Sequence, residues 1–180
     1  MPADQRRRVR PKLRPMTSPA PSPLGSEPAA LIARRVSIIV GTRDAALRPH
    51  VMRAAGCRLS DDRRRLLLLM PALRGAEVLA DLRANRQVAV VFSEPTTHRT
   101  LQVKGHDAVV GDATEEELGL AAPYHVRLAD ELAQLGFGAS VTASLLGRDE
   151  PLAAIRFTIA EAFEQTPGPA AGERLAPTRG

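Results

Sequence analysis

The chain has 180 residues, 44% hydrophobic and 25% charged, a composition that fits one globular domain and hardly two. Its formal charge of +5 would suggest a nucleic-acid binder, but residues 1–15 hold six basic groups (Arg6, Arg7, Arg8, Arg10, Lys12, Arg14) against Asp4, and the rest of the chain balances 19 basic with 19 acidic groups. The body is formally neutral, so nucleic acid is expected to bind only non-specifically, through the tail.

Other figures exclude further classes. Aromatic residues make up 3% with no Trp, which leaves few rings to stack single-stranded bases. The single cysteine, Cys57, can form no intramolecular disulfide and no Cys-based zinc site, and a reducing cytoplasmic setting is the expectation. His50, His98, His106 and His125 are far apart without metal-ligand spacing, and no metal site is expected. The longest apolar run, Leu66 to Ala72, falls far short of the ~20 residues that span a bilayer. The Arg-rich start lacks the apolar stretch of roughly 7–15 residues of a secretory signal. Neither a membrane anchor nor export is expected.

In chain order, residues 1 to about 27 combine basic groups with Pro2, Pro11, Pro15, Pro19, Pro21 and Pro23, a composition that predicts disorder, with Met16 as an alternative start. Glu27 to Arg35 predicts a short helix with Ser26 as its cap. Strands follow over Val36–Gly41, about Arg48–Leu59 and Arg64–Met70, separated by turn-forming Thr42-Arg43-Asp44 and Ser60-Asp61-Asp62. Beyond Pro71, Ala76, Val78, Leu79 and Leu82 recur at helical spacing up to Asn85. Gln87–Phe92 reads as a buried strand and His98–Val110 as a long one. Thr114-Glu115-Glu116-Glu117 has the form of a helix N-terminus leading to about Leu135, divided at Pro123. Ala139–Leu146 predicts a further helical turn or two, Ala153–Glu164 a final strand, and Pro167–Gly180 an irregular tail. The expected domain is therefore residues 28–166. It is mainly β with flanking helices, and six antiparallel strands of this size close most naturally into a small barrel.

Phosphate-binding glycine fingerprints, His-Glu-x-x-His and nucleophile elbows are missing, and no residue is identified as catalytic. The most informative segment is Thr96 to Gly105. Alternation there puts Leu101 and Val103 on one face and His98, Thr100, Gln102, Lys104 and His106 on the other, either a solvated barrel face or a polar wall against an anionic or heterocyclic ligand. Arg74 lies between a strand end and the first turn of a helix, where free N–H groups and a guanidinium together favour phosphate; otherwise it is a solvated surface arginine. Arg53, inside a strand, either faces outward or needs a charge partner or water.

Four stretches together resemble the FMN-binding split-barrel family typified by pyridoxamine 5′-phosphate oxidase. They are Arg48-Pro49-His50-Val51, Leu67-Leu68-Leu69-Met70-Pro71, the run from Leu79 through Asn85 to Phe92, and Thr97 to Gly105. The resemblance covers about Leu31 to Val110 and the last strand, and it implies a six-stranded antiparallel split β-barrel. It further implies a homodimer with the flavin at its interface. By position it makes Arg74 a phosphate ligand, sets Arg53 near a family arginine, and puts Thr100 where the family often has a Gln contacting FMN. Leu69 and Met70 would offer backbone to the ring, and Arg99 and Gln102 would belong to or adjoin the same wall. The family's Ser-Arg-Lys is replaced by Ala76-Glu77-Val78, and its Trp-containing C-terminal segment is missing, so pyridoxamine phosphate is not the expected substrate. The implied activity is flavin-dependent oxidation or reduction of another small molecule, with His98 or His50 either a proton relay near the ring or simply a polar strand residue. F420 or haem are the alternative cofactors, and a non-catalytic carrier or sensor of the same fold is the alternative role.

Overall fold

The computed structural model describes residues 24–34, 37–146 and 150–177; the basic tail expected to be disordered lies outside them up to residue 23. Within the described residues the chain runs α1 (Ser26–Ile32), β1 (Ser37–Arg43), β2 (Pro49–Arg53), β3 (Gly56–Leu59), β4 (Arg65–Pro71), α2 (Ala76–Asn85), β5 (Val88–Ser93), β6 (Thr100–Gly105) and β7 (Val109–Asp112). It continues through α3 (Glu115–Leu118), α4 (Ala121–Gln134), α5 (Ala139–Leu146), β8 (Leu152–Thr158) and β9 (Glu161–Glu164). The strands form two antiparallel sheets, ordered β2-β1-β5-β6-β9 and β3-β4-β8-β7. The fold class is the expected one: mainly β, antiparallel, with flanking helices.

The strand count differs from six for a physical reason. Three segments that read as single long strands each turn a corner and continue in the other sheet: β2 into β3, β6 into β7, and β8 into β9. Successive amides mark two of these corners. Ala54 N–H donates to Ile38 of the first sheet (3.0 Å) and Ala55 N–H to Leu69 of the second (2.7 Å). Likewise Ile159 N–H reaches the Arg64 carbonyl and Ala160 N–H that of Lys104, each at 2.8 Å. Ala54, Ala108 and Ile159 are buried at the corners, where the period-two pattern slips: Ala54, Ala55 and Gly56 are buried in succession, and two residues rather than one separate Gly105 from Ala108 and Ile159 from Ala162. Gly105 closes β6 against β8; a β-carbon there would collide with the Phe157 ring and lie 3.0 Å from the Thr158 carbonyl.

The core lies between the sheets. Ile38, Val40, Val90, Phe92, Leu101 and Val103 face Leu66, Leu68, Met70, Ile155 and Phe157 across it. Leu24 and α1's Leu31 and Ile32 join it. Helix α2 buries Val78, Leu79 and Leu82 and is anchored by polar ties. Asn85 donates to the Arg43 carbonyl (2.7 Å) and accepts from Gln87 N–H (2.9 Å), holding the helix end to β1 and to the entry of β5.

The expected helix N-terminus at Thr114 is present at α3, where Thr114 and Glu117 form a capping box. The break before α4 falls at Gly119–Leu120, however, and Pro123 sits in the first turn of α4, where its missing N–H has no helical acceptor to lose. At the C-terminal end, the segment expected to be irregular lies along β9, with Glu164 N–H donating to Glu173 (2.9 Å) and Leu175 N–H to Ala162 (2.8 Å).

Candidate functional site

The turn joining β4 to α2 is the most constrained stretch near the expected site. Gly75, the N-cap of α2, presses on the strand it leaves: a β-carbon would stand 2.7 Å from the Pro71 carbonyl and 2.8 Å from Met70 Cγ and Sδ. The close approach fixes the turn, and with it the directions of the two preceding amides. Leu73 N–H and Arg74 N–H donate to Glu150 Oε2 at 2.9 and 3.1 Å, while Arg74 Nε donates to Glu150 Oε1. Burial of the Glu150 carboxyl opposes its ionisation, but the guanidinium and the two amides outweigh burial and hold it below its ordinary range. The donors at this turn therefore already surround an anion.

Arg53 comes from the end of β2 and donates to Ser37 Oγ at 2.6 Å. It lies beside Tyr124 of α4, whose hydroxyl is pushed upward in pKa chiefly by burial. Arg53 and Arg74 share one cavity, closed by Met52, Pro71, His125 and Leu145. Its volume of about 10 Å³ is room for roughly one water. Leu69 and Met70 are fully buried in β4 immediately before the turn. The Leu69 carbonyl accepts Ala55 N–H, so it serves the sheet as well as standing near the site.

Arg99, Thr100 and Gln102 belong to a different surface. Arg99 pairs with Glu27 of α1 at 2.6 Å. Thr100 Oγ1 lies 2.5 Å from Ser93 Oγ and donates to the His98 carbonyl. The register sets Gln102 opposite Val91 and Phe163, Val91 opposite Ile39, and Ile39 opposite Arg53. One cross-strand row thus runs from Arg53 to Phe163 on the face away from Ile38, Val40 and Val90. Lys104 on that face stacks its ammonium 4.6 Å from the Phe163 ring centre. The structure joins Arg53 with Arg74 in a cavity and Arg53 with Gln102 on a sheet face, and it leaves Arg99 outside both.

The two histidines considered as proton relays lie elsewhere. His98 is exposed in a tight turn at φ 60°. His50 points to α2, where its Nδ1 lies 2.8 Å from Asp81 Oδ2, which also accepts from Thr42 Oγ1 at 2.7 Å. The bond to Asp81, with Glu77 and Asp44 nearby, raises the His50 pKa against partial desolvation. Sequence reasoning missed Glu150, Tyr124 and His125. Glu150 meets Arg74 across a separation of 76 residues, and a single Glu before a Pro carries no local signal of that meeting.

The two sheets exchange strands at their corners, with α2 packed against β1, β2 and β7, an arrangement that makes a split barrel. No protein-family model and no curated protein matches the sequence. Among solved structures, Group A Streptococcus HupZ is similar at a TM-score of 0.52 and 17% identity, over 83% of this chain and 99% of that one. A putative pyridoxamine 5′-phosphate oxidase from Lactobacillus delbrueckii gives a TM-score of 0.49 at 17% identity, covering 78% of this chain and 93% of that one. A pyridoxamine 5′-phosphate oxidase-related, FMN binding protein from Nostoc punctiforme gives 0.47 at 13%, covering 82% and 87%. At such identities the likeness is one of fold. No helix among the described residues is long and apolar enough to cross a membrane.

Proposed function

We propose that this chain is an FMN-binding oxidoreductase that acts as a homodimer on a small molecule other than pyridoxamine phosphate. The observation that carries the reading is the anion cradle of Leu73 N–H, Arg74 N–H and the Arg74 guanidinium, set beside Arg53. Convergent amides and a guanidinium before a helix are the donors that a phosphate monoester takes. Bound FMN would supply electron transfer at its ring, and the chain's own work is to hold and aim the cofactor and exclude water.

The cradle fits the phosphate end, whereas among the described residues the cavity beside it has no room for the ring. A space of about 10 Å³ compares with the ~300–1,000 Å³ of small-molecule sites. The outer face of the five-stranded sheet supports a second copy as a wall for the ring. It carries half-buried Ile39, Val91 and Phe163 and exposed Val51, with Thr100, Gln102 and Lys104 as polar groups among them. In such a dimer the Arg53/Arg74 group of one copy and the Gln102 row of the other would share one ligand. The unpaired Cys57 is in keeping with a reducing cytoplasm.

His50 and His98, the expected proton relays, lie away from the cradle, which favours a second reading, a carrier or sensor that holds flavin, F420 or haem without turnover. Loading the protein with FMN and adding NAD(P)H or other reductants separates the two. Bleaching of the flavin with steady turnover supports the oxidoreductase; a bound flavin inert to every reductant tried supports the carrier.

A further inference from the structure

The carboxylate in the cradle is the chain's own, and the sheet register explains how it arrives. Strand β8 pairs with β4 up to Leu152 opposite Pro71, and Ala72 N–H donates to the Pro151 carbonyl at 2.8 Å. Glu150 therefore stands beside the turn as a matter of backbone geometry. Its side chain is only 8% exposed, and one oxygen takes both amides while the other takes Arg74. A buried carboxylate making charge-assisted bonds to two amides and a guanidinium has the donor set of a bound phosphate. The backbone anchor at Pro151 lets the carboxylate leave by side-chain rotation alone.

We propose that Glu150 is a tethered competitor of the phosphate monoester, so that the cradle exchanges between an internal carboxylate and the ligand's phosphate and the cofactor binds only by displacing it. The proposal rests on the reading of the turn as the cofactor's phosphate site, and it adds a built-in check on occupancy. A phosphate carries more charge and a third oxygen and can win the exchange. Once the carboxylate is made a neutral amide, the competitor is weakened, since bonds to a charged acceptor are about twice as strong as neutral ones.

The test compares the full chain with its Glu150→Gln variant, titrated with FMN, riboflavin and inorganic phosphate by calorimetry and melting temperature. The expected result is FMN and phosphate affinities raised about tenfold in the variant, with riboflavin, which lacks the phosphate, unchanged. If wild type binds FMN and the variant binds FMN and phosphate no better, the competitor is overturned and the flavin reading stands. If FMN binds neither protein but phosphate binds the variant more tightly, the competitor stands and the flavin reading falls. Failure of both ligands on both proteins overturns both. Should Glu150→Gln not fold, the Leu73 and Arg74 amide resonances of the wild type give the answer during a phosphate titration: displacement shifts both, and saturation with neither moving overturns the proposal.

Discussion

Arg74 and Glu150 hold one another in a setting where each has a second use, and their chemistry fixes what a single substitution does. Arg74→Ala removes a guanidinium from the phosphate end only. FMN affinity is expected to fall roughly ten- to a hundredfold while riboflavin affinity stays the same, a difference read by parallel titrations. The pKa directions of two groups have opposite signs in their effect on stability. Glu150 is depressed in the folded state, so its contribution is present above its ordinary value of 4.5 and is lost as pH falls through the folded value. His50 is raised, so its tie to Asp81 contributes fully below its ordinary value of 6.5 and is lost as pH rises through the folded value. Melting temperature followed from pH 5 to pH 9 is expected to lose that contribution as pH rises above 6.5 in the wild type. In Asp81→Asn the loss is expected to be flatter, and an unchanged profile would remove the Asp81–His50 tie from the account of stability.

Among the elements, the three strand corners decide the architecture, and they show where a sequence stops being readable. Their flanks alternate in the expected way, and the slip of phase at each bend is only one residue, at Ala54–Gly56, between Gly105 and Ala108 and between Ile159 and Ala162, so it reads as an irregularity within one strand. Period-two alternation reports which face is buried and carries no information about a change of sheet. The helix N-terminus at Thr114 was legible because its chemistry is local, whereas the Pro123 break was not, since proline in a first turn and proline between two helices look alike in sequence. The same divide holds at the site. Arg53 and Arg74 could be picked out singly from their strand and turn positions, but the Glu150 that fills the cradle is brought in by β8 pairing with β4. Gly105 gives the element-scale prediction. Gly105→Ala forces a methyl group into the Phe157 ring and is expected to cost about 1–3 kcal/mol, measured by denaturant unfolding. A cost near zero would mean that β6 and β8 cross less tightly than described.

For the whole molecule, the proposed dimer joins the two groups of site residues that one chain keeps apart. Val51, 70% exposed on the outer face of the edge strand β2, is the position where a charge tests this with least harm to the fold. Val51→Glu is expected to shift sedimentation towards monomer and to weaken FMN binding with it; an intact dimer would mean that the copies meet elsewhere. The +5 charge resides in the first fifteen residues, outside the described part of the chain, and the remainder is formally balanced. The central claim is that this barrel holds a flavin by its phosphate. Its most direct measurement is the visible spectrum of the full chain after incubation with FMN and removal of free ligand, read beside the melting temperature. The expected result is retained flavin bands with a raised melting temperature. A colourless protein whose melting temperature moves with neither FMN nor F420 would contradict it.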